Sequence, residues 1–382
     1  MKYVATCLFG LERFVGEQID ELGYKRIETL DGRVIFEGDE SAVARCNINF
    51  RYAERVFILL GEFRASTFTE LFDGVKSLPW ENYIGERDAF PVKGHSIKST
   101  LFSIPDCQKI AKKAVVERLK TKYNVSYFVE SRTKYQIEFF ILNDNAHIMI
   151  DTTGEGLYKR GYRLKANEAP IRETLAASMC NIARLRNDVL LWDPMCGSGT
   201  IAIEGALMLS NTAPGIRRSF AAEAFDFIPK KSWQDARGEA IANIKKEPFE
   251  VYGTDIDPHA LEIASENAKR AGVSNRIKFF KMDVNDIQTY GRRGTVVTNP
   301  PYGERLSDIA TAEKLYRQMG TAFSKLDRWQ IYVITSHEKF EQFYGRRADK
   351  VRKLYNGMIK CNYYQFFKND KQFTNNKFSN KK

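Results

Sequence analysis

A chain of 382 residues with 43% hydrophobic content holds apolar material for two or three cores, which argues against a single small domain. Its formal charge of +11 favours a polyanionic partner, nucleic acid foremost. Six scattered cysteines without a Cys-x-x-Cys pair argue against a disulfide scaffold and for a reducing cytoplasm; four isolated histidines argue against a metal site, and no run nears the roughly 18 apolar residues of a membrane span.

From Met1 to about Tyr162 the chain has the rhythm of small α+β units. YVATCLF reads as a strand, LERFVGEQIDELG as a helix and RVIFEG as a strand, followed by SAVARCNINFRYAERVFILLGEF. A second unit opens on AFPVKGHSIKSTLFS as a strand. Ser103 then serves as N-cap of the helix PDCQKIAKKAVVERLKTKY, with Asp106 in its first turn. That helix carries Lys109, Lys112, Lys113, Arg118, Lys120 and Lys122, either a solvated face or a surface for phosphates. YQIEFFIL and AHIMIDTT flank an Asn-Asp-Asn turn and read as a hairpin. The segment 151–179 is the joint between the halves. Gly154, Gly156 and Gly161 break the strand pattern there, and Thr174, Leu175, Met179, Ile182 and Leu185 then mark one side of a helix. The boundary is expected near residue 165.

Beyond it strands and helices alternate: VLLW, TIAIEGALML, FEVYGTDID, HALEIASENAKRAGV, IKFFKMDV, GTVVTNP, EKLYRQMGTAFSKL and WQIYVIT. This rhythm predicts an α/β fold with a parallel sheet covered on both faces. KLYNGMIKCNYYQFF, with Asn356-Gly357 between apolar runs, predicts an antiparallel edge hairpin. The tail, 368–382, is basic and polar and is expected to fray.

Four strand ends carry the chemistry. After VLLW comes Asp193 and the turn Cys196, Gly197, Ser198, Gly199, Thr200, whose glycines let a ligand approach the backbone closely. A phosphate-cradling loop is disfavoured because no Gly-Lys-Ser/Thr follows. Asp255 ends the second strand, where a carboxylate can accept from ribose hydroxyls, while Asp257 caps the next helix ahead of Pro258. Asp283 ends the third strand and could accept from an adenine amino group. On the fourth, Asn299, Pro300, Pro301 and Tyr302 form a corner: the prolines fix φ and remove two amide donors, leaving Asn299 and Tyr302 presented outward. Together these ends point to an S-adenosylmethionine pocket. Cys196 reads as a small space-filler and Glu204 as a loop partner or a cap. Arg305 is close enough in sequence to the Asn-Pro-Pro-Tyr corner to meet a phosphate of a bound nucleic acid, and 346–353 reads as a solvated face with RNA contact as the alternative.

Residues 165–367 resemble class I S-adenosylmethionine-dependent methyltransferases, and Asn299–Tyr302 match that superfamily's Asn/Asp-Pro-Pro-Tyr/Phe motif. Through GLERFVGEQIDELGY, LYKRGYRLKANEAPIRETLAASM, WDPMCGSGTIAIEGA and TNPPYGERL the whole chain resembles the THUMP-containing bacterial 23S rRNA guanine-N2 methyltransferases, often labelled adenine-specific DNA methylases. The resemblance implies a ferredoxin-like domain over 1–65, an RNA-binding THUMP domain over 66–164 and a Rossmann-like methyltransferase domain over 165–367. It further implies that Pro170, Ile171 and Thr174 lie beside the cofactor's methionine end. Asp193 and Cys196–Thr200 would hold its amino and carboxylate groups, Asp255 with Ile256 its ribose, and Asp283 with Val284 its adenine. The long stretch between Asp193 and Asp255 reads as an insertion. Asn299 and the Pro300 carbonyl would accept the hydrogens of an exocyclic amine, with Tyr302 stacking on the base. The expected activity is guanine-N2 methylation of 23S rRNA or a large-subunit precursor. An adenine-N6 methyltransferase is the first alternative; it is weakened for DNA because the roughly 80 residues after Tyr302 complete the sheet rather than build a reading domain. A noncatalytic RNA-binding assembly factor is the second.

Overall fold

The computed structural model describes residues 1–163, 171–303 and 306–367. Pro170, Arg305 and the tail 368–382 lie outside the described residues. The chain forms two compact units. The first comprises Met1–Cys7, Leu11–Leu157 and Pro214–Ala242; the second comprises Leu8–Gly10, Tyr158–Ala213 and the chain from Asn243 onward.

In the first unit β1 (Lys2–Cys7), α1 (Glu12–Glu21), β2 (Lys25–Leu30), β3 (Arg33–Glu37), α2 (Ser41–Asn49) and β4 (Ala53–Arg64) are followed by α3 (Phe68–Ser77), β5 (Val92–Ile97), α4 (Ile104–Tyr123), β6 (Ile137–Leu142) and β7 (Asn145–Asp151). The two expected α+β units share one seven-stranded sheet, ordered β2-β3-β1-β4-β7-β6-β5. Strand β4 joins them: its Ala53–Leu59 half pairs with β1 and its Phe57–Arg64 half with β7. A strand of 12 residues is long enough to serve both neighbours. Ser103 precedes α4 as expected, but its hydroxyl donates to Asp106 Oδ2 at 2.6 Å instead of capping the backbone. The cations of α4 are largely spoken for. Lys109 pairs with Asp106, Lys112 with Glu130, Arg118 with Glu81 and Lys120 with Glu117, which makes this helix a weaker phosphate surface than its composition suggested.

The second unit contains α5 (Glu173–Ile182), β8 (Leu190–Asp193) and α6 (Thr200–Leu209). Helix α7 (Lys230–Ala242) comes next in the chain, followed by β9 (Val251–Asp255), α8 (Pro258–Ala271), β10 (Ile277–Lys281), β11 (Gly294–Thr298), α9 (Leu306–Phe323), β12 (Trp329–Thr335), α10 (Phe340–Tyr344), β13 (Lys350–Asn356) and β14 (Ile359–Phe366). The sheet order is β10-β9-β8-β11-β12-β14-β13, with the first five strands parallel and the last two antiparallel as the sequence predicts. The winding reverses between β8 and β11, and such a switch point opens a crevice at the carboxyl ends of the strands. Trp192, Val296, Tyr316, Met319, Phe323, Trp329, Val333 and Phe366 pack beneath it. No described helix is long and apolar enough to cross a membrane.

The insertion belongs to the first unit. Its Phe225 stacks on Tyr135 at 4.3 Å, Phe227 meets Tyr83 edge-on at 5.1 Å, and Arg45 of α2 forks onto Glu239 of α7. Gly215 and Ala222 donate to the carbonyls of Ile48 and Thr152. An apparent interruption of one α/β domain is thus a structural part of the other unit.

Candidate active site

Asp193 ends β8 at the switch point and is 1% exposed. Its Oδ1 accepts from Thr298 Oγ1, at the end of β11, at 2.9 Å and from the Met195 amide at 3.4 Å. No cation stabilises it among the described residues: burial, with the charge of Asp255 adding, pushes its carboxyl up to about 7. A buried carboxylate served only by neutral donors is suited to an ammonium group from a ligand.

The turn above it ends at the N-terminus of α6. Gly197 (φ +51) and Gly199 (φ +81) are both left-handed, a conformation that costs other residues free energy. A Cβ on Gly199 would lie 3.0 Å from that of Ala264, whereas one on Gly197 would meet nothing within 4 Å. Gly199 therefore packs the turn against α8, and Gly197 faces open space where a ligand can lie. Cys196 is 6% exposed, its amide donates to the Thr254 carbonyl at 2.9 Å, and burial keeps its thiol protonated. Such a thiol is a space-filler. From α8, the buried Asn267 donates to the Ser198 carbonyl at 3.0 Å.

Asp255, half-buried, accepts from the Gly197 amide at 2.9 Å through Oδ2 and from the Asp257 amide at 3.0 Å through Oδ1. Each oxygen keeps a second lone pair for a hydroxyl donor. Asp257 caps α8 through the His259 amide at 2.9 Å, as the sequence predicts. Ile256 is 63% exposed, an apolar side chain left open at the strand end. Asp283 is exposed two residues past β10, and its Oδ1 accepts from the Asn285 amide at 2.8 Å and its side chain at 2.7 Å. Val284 is 5% exposed and belongs to the core beneath the crevice.

The segment before α5 braces the turn. Arg163 donates to the Ile171 carbonyl at 2.9 Å, to Thr200 Oγ1 at 3.4 Å and to Glu173 Oε2 at 2.9 Å. Ile171 and Thr174 are buried here, and burial carries the Glu173 carboxyl up to about 7 against the pull of Arg163. Glu204, 1% exposed, accepts from Tyr162 Oη at 3.0 Å and lies 3.6 Å from Arg160 Nε. It is a buried ion-pair partner rather than a cap.

At the end of β11 the corner departs from its expected form in one respect. Tyr302 does not project outward. It is half-buried, and its hydroxyl donates to Asn299 Oδ1 at 2.6 Å, with the Asn356 and Cys361 side chains against it. A buried phenol needs hydrogen-bond partners, and these are the nearest. From α9, Tyr316 donates to the Pro301 carbonyl at 2.8 Å and lies 3.1 Å from Thr335 Oγ1. No donor reaches the Pro300 carbonyl among the described residues. The corner therefore holds two oxygens with spare lone pairs, Asn299 Oδ1 and the Pro300 carbonyl.

Sequence reasoning missed Thr298, Arg163, Tyr316, Asn356 and Asn267. Only Asn267 left a signal, as a polar residue among Ala260, Leu261, Ala264, Ala268 and Ala271 on the buried face of α8.

A doubly wound sheet with a glycine turn, a buried carboxylate at the switch point and acidic side chains at the next two strand ends defines a class I S-adenosylmethionine-dependent methyltransferase. Residues 160–365 match the RMKL-like methyltransferase domain, residues 2–57 the RlmL ferredoxin-like domain and residues 65–151 the THUMP domain, and the chain belongs to the RMKL-like methyltransferase family. It is 44% identical to YpsC of Bacillus subtilis (strain 168), provisionally named an RNA methyltransferase, over 95% of both chains. Across 94% of its length it is 32% identical to the ribosomal RNA large subunit methyltransferase K/L of Psychromonas ingrahamii, of which it spans 49%. A Listeria monocytogenes structure, provisionally named an N6-adenine-specific DNA methylase, matches with TM-score 0.92 and 46% identity over 96% of both chains. SMU.472, solved with SAH, matches with TM-score 0.90 and 40% identity over 96% of this chain and 98% of that one. The protein is a methyltransferase, and S-adenosylmethionine is its methyl donor.

Proposed function

We propose that this protein methylates the exocyclic N2 amino group of a guanine in RNA, with 23S rRNA or a large-subunit precursor as substrate. The observation that carries the reading is the corner at the end of β11, where the oxygens of Asn299 and Pro300 stand on a frame stiffened by Pro301 and Tyr316. An amino group conjugated to a purine is a weak nucleophile because its lone pair is delocalised into the ring. If Asn299 Oδ1 and the Pro300 carbonyl accept its two hydrogens, the nitrogen pyramidalises and its lone pair is freed. Tyr302 fixes Oδ1 by occupying one lone pair and leaves the other for the substrate. The base enters unstacked from its neighbours, with the part of the half-buried Tyr302 ring that stays exposed as the stacking surface. RNA is supported by the THUMP match and by the names of both relatives. We assign RNA recognition to 1–65 and 66–164 and methyl transfer to 165–367, with the basic tail 368–382 outside both. An adenine amino group presents the same two hydrogens, and the Listeria structure's name keeps that reading as the alternative.

Bound in the crevice, S-adenosylmethionine supplies an electrophilic methyl on a sulfonium. The residues present fit it: Asp193 offers a buried carboxylate with no cation beside it among the described residues, Gly197 an open side and Ile256 an exposed apolar surface. We place Ile171, Thr174, Asp193 and the Cys196–Thr200 turn at its methionine end, Asp255 and Ile256 at the ribose, and Asp283 with Val284 at the adenine. In the cofactor-free protein Asp193 titrates near 7, well above the ordinary aspartate value of 3.8. Its contribution to stability is complete below that unfolded value and is lost as pH rises through about 7. The charged form binds the cofactor's ammonium. Cofactor affinity is therefore expected to fall by up to about tenfold per pH unit below the folded-state pKa. Calorimetric titration between pH 6 and 8 checks this; a flat affinity contradicts the placement of Asp193. The function itself is tested by offering methyl-labelled S-adenosylmethionine with unmodified 23S rRNA, tRNA and duplex DNA. Label in rRNA supports the proposal, and label confined to DNA overturns it.

A further inference from the structure

Strands β13 and β14 finish the sheet, but they also overshoot it. Strand β12 ends at Thr335, which pairs with Asn362 of β14. Residues 359–361 continue past that point, a reach of about 10 Å at ~3.3 Å per residue. They extend from the carboxyl edge of the sheet, where Asp193, Asp255 and Asn299 stand. The tip turns at Asn356-Gly357, Gly357 having φ +64. One face of the tip touches the methyl-transfer corner, since Asn356 and Cys361 lie against the Tyr302 hydroxyl.

The other face is built differently. Tyr355 pairs with Lys360 across the ladder, and Lys353 lies two residues before Tyr355, so these three side chains share a face. Phe9 meets the Tyr355 ring edge-on at 6.2 Å. Met358 is 98% exposed and Phe9 56%. Residues 350–367 contain Lys350, Arg352, Lys353 and Lys360 but no Asp or Glu. Among the described residues Lys350, Lys353 and Lys360 have no carboxylate partner, in contrast to the largely paired cations of α4. Lysines on an edge strand can serve only to block sheet-to-sheet pairing. That role does not account for an exposed aromatic and apolar surface beside them, whereas unpaired cations interleaved with aromatic rings fit single-stranded nucleic acid.

We propose that the β13–β14 hairpin docks the single-stranded RNA flanking the target nucleotide. Lys353 and Lys360 take its phosphates, and a neighbouring base packs on the Tyr355, Phe9 and Met358 surface. This rests on RNA being the substrate and adds where the strand beside the flipped base is held. Of the stretch 346–353, read from sequence as a solvated face with RNA contact as the alternative, Lys350 onward forms the edge strand β13, and the proposal takes up the alternative for that part.

The test uses the full chain and a fluorescently labelled, unstructured RNA oligonucleotide, with affinity read by anisotropy across a salt series. The Lys353→Ala/Lys360→Ala double variant is expected to bind at least tenfold more weakly, with its salt slope flattened by about 1.4, or ~0.7 for each phosphate left without its lysine. Tyr355→Ala is expected to lose about 5- to 100-fold with the slope unchanged, since stacking releases no counterions. Unchanged cofactor affinity and melting temperature establish that each variant is folded. Affinity and slope equal to wild type overturn the proposal, as does a loss seen only with ribosomal particles, which would indicate a protein partner. The readout is independent of the product, so a chain that binds this RNA through the hairpin but methylates none of the tested polymers overturns the function and leaves the docking surface standing.

Discussion

Asn299→Ala is expected to lower methyl transfer roughly 10²- to 10³-fold, the range seen when one preorganised polar group is removed from a reacting centre. Cofactor affinity should stay within a few fold, because Asp193, Asp255 and the glycine turn remain. The loss should fall on kcat, since the oxygen of Asn299 matters most as the amino nitrogen pyramidalises. Asn299→Gln should not restore activity: its oxygen sits one methylene farther out and loses the Tyr302 bond that fixes it at 2.6 Å. Single-turnover kinetics with saturating cofactor separate these effects. Intact turnover in Asn299→Ala would remove the corner from the reaction.

The largest expected effect on stability comes from Glu204→Ala. Glu204 and Arg160 are 0% and 2% exposed at their side chains, and Glu204 also takes the Tyr162 hydroxyl. Deleting the carboxylate takes away a buried counter-charge and a hydrogen-bond acceptor together. Removing one partner of a buried pair costs about 3–5 kcal/mol. Chemical denaturation should show a lower midpoint, and Glu204→Gln should recover part of the loss by keeping the Tyr162 bond. Because Arg163 ties the same region to Thr200, cofactor binding should weaken along with stability. A midpoint within error of wild type would show that Arg160 is held by other groups. Asn299→Ala and Glu204→Ala should therefore differ in kind, one losing turnover in a stable protein and the other losing the protein's stability.

Much of this was legible in the sequence because it is written locally. The apolar runs VLLW, VVT and WQIYVIT, alternating with helix-length segments, read as strands buried on both faces. The acids at 193, 255 and 283 stand out against them, and two consecutive prolines must end a strand. What failed to show was carried by residues that meet across long stretches of chain. Strand β2, KRIETL, is exposed over nearly its whole length and has no inward-facing apolar alternation to betray it. The insertion's place in the first unit depends on Phe225 and Phe227 meeting Tyr135, about 90 residues upstream, and periodicity cannot report such a pairing. Tyr302 was misplaced for a similar reason. Its partner Asn299 is three residues away, but the other side chains that meet the hydroxyl, Asn356 and Cys361, lie on the hairpin. Arg163 and Thr298 looked like an ordinary joint cation and an ordinary strand residue until the fold placed them beside Thr200 and Asp193.

The most direct test of the central claim is the identity of the methylated nucleoside. Unmodified 23S rRNA treated with the purified protein and S-adenosylmethionine, digested and analysed by nucleoside mass spectrometry, should yield N2-methylguanosine, and the Asn299→Ala protein should yield almost none. N6-methyladenine as the product, in RNA or in duplex DNA, would contradict the account: the same two oxygens would then serve adenine, and guanine would not be the base this protein modifies.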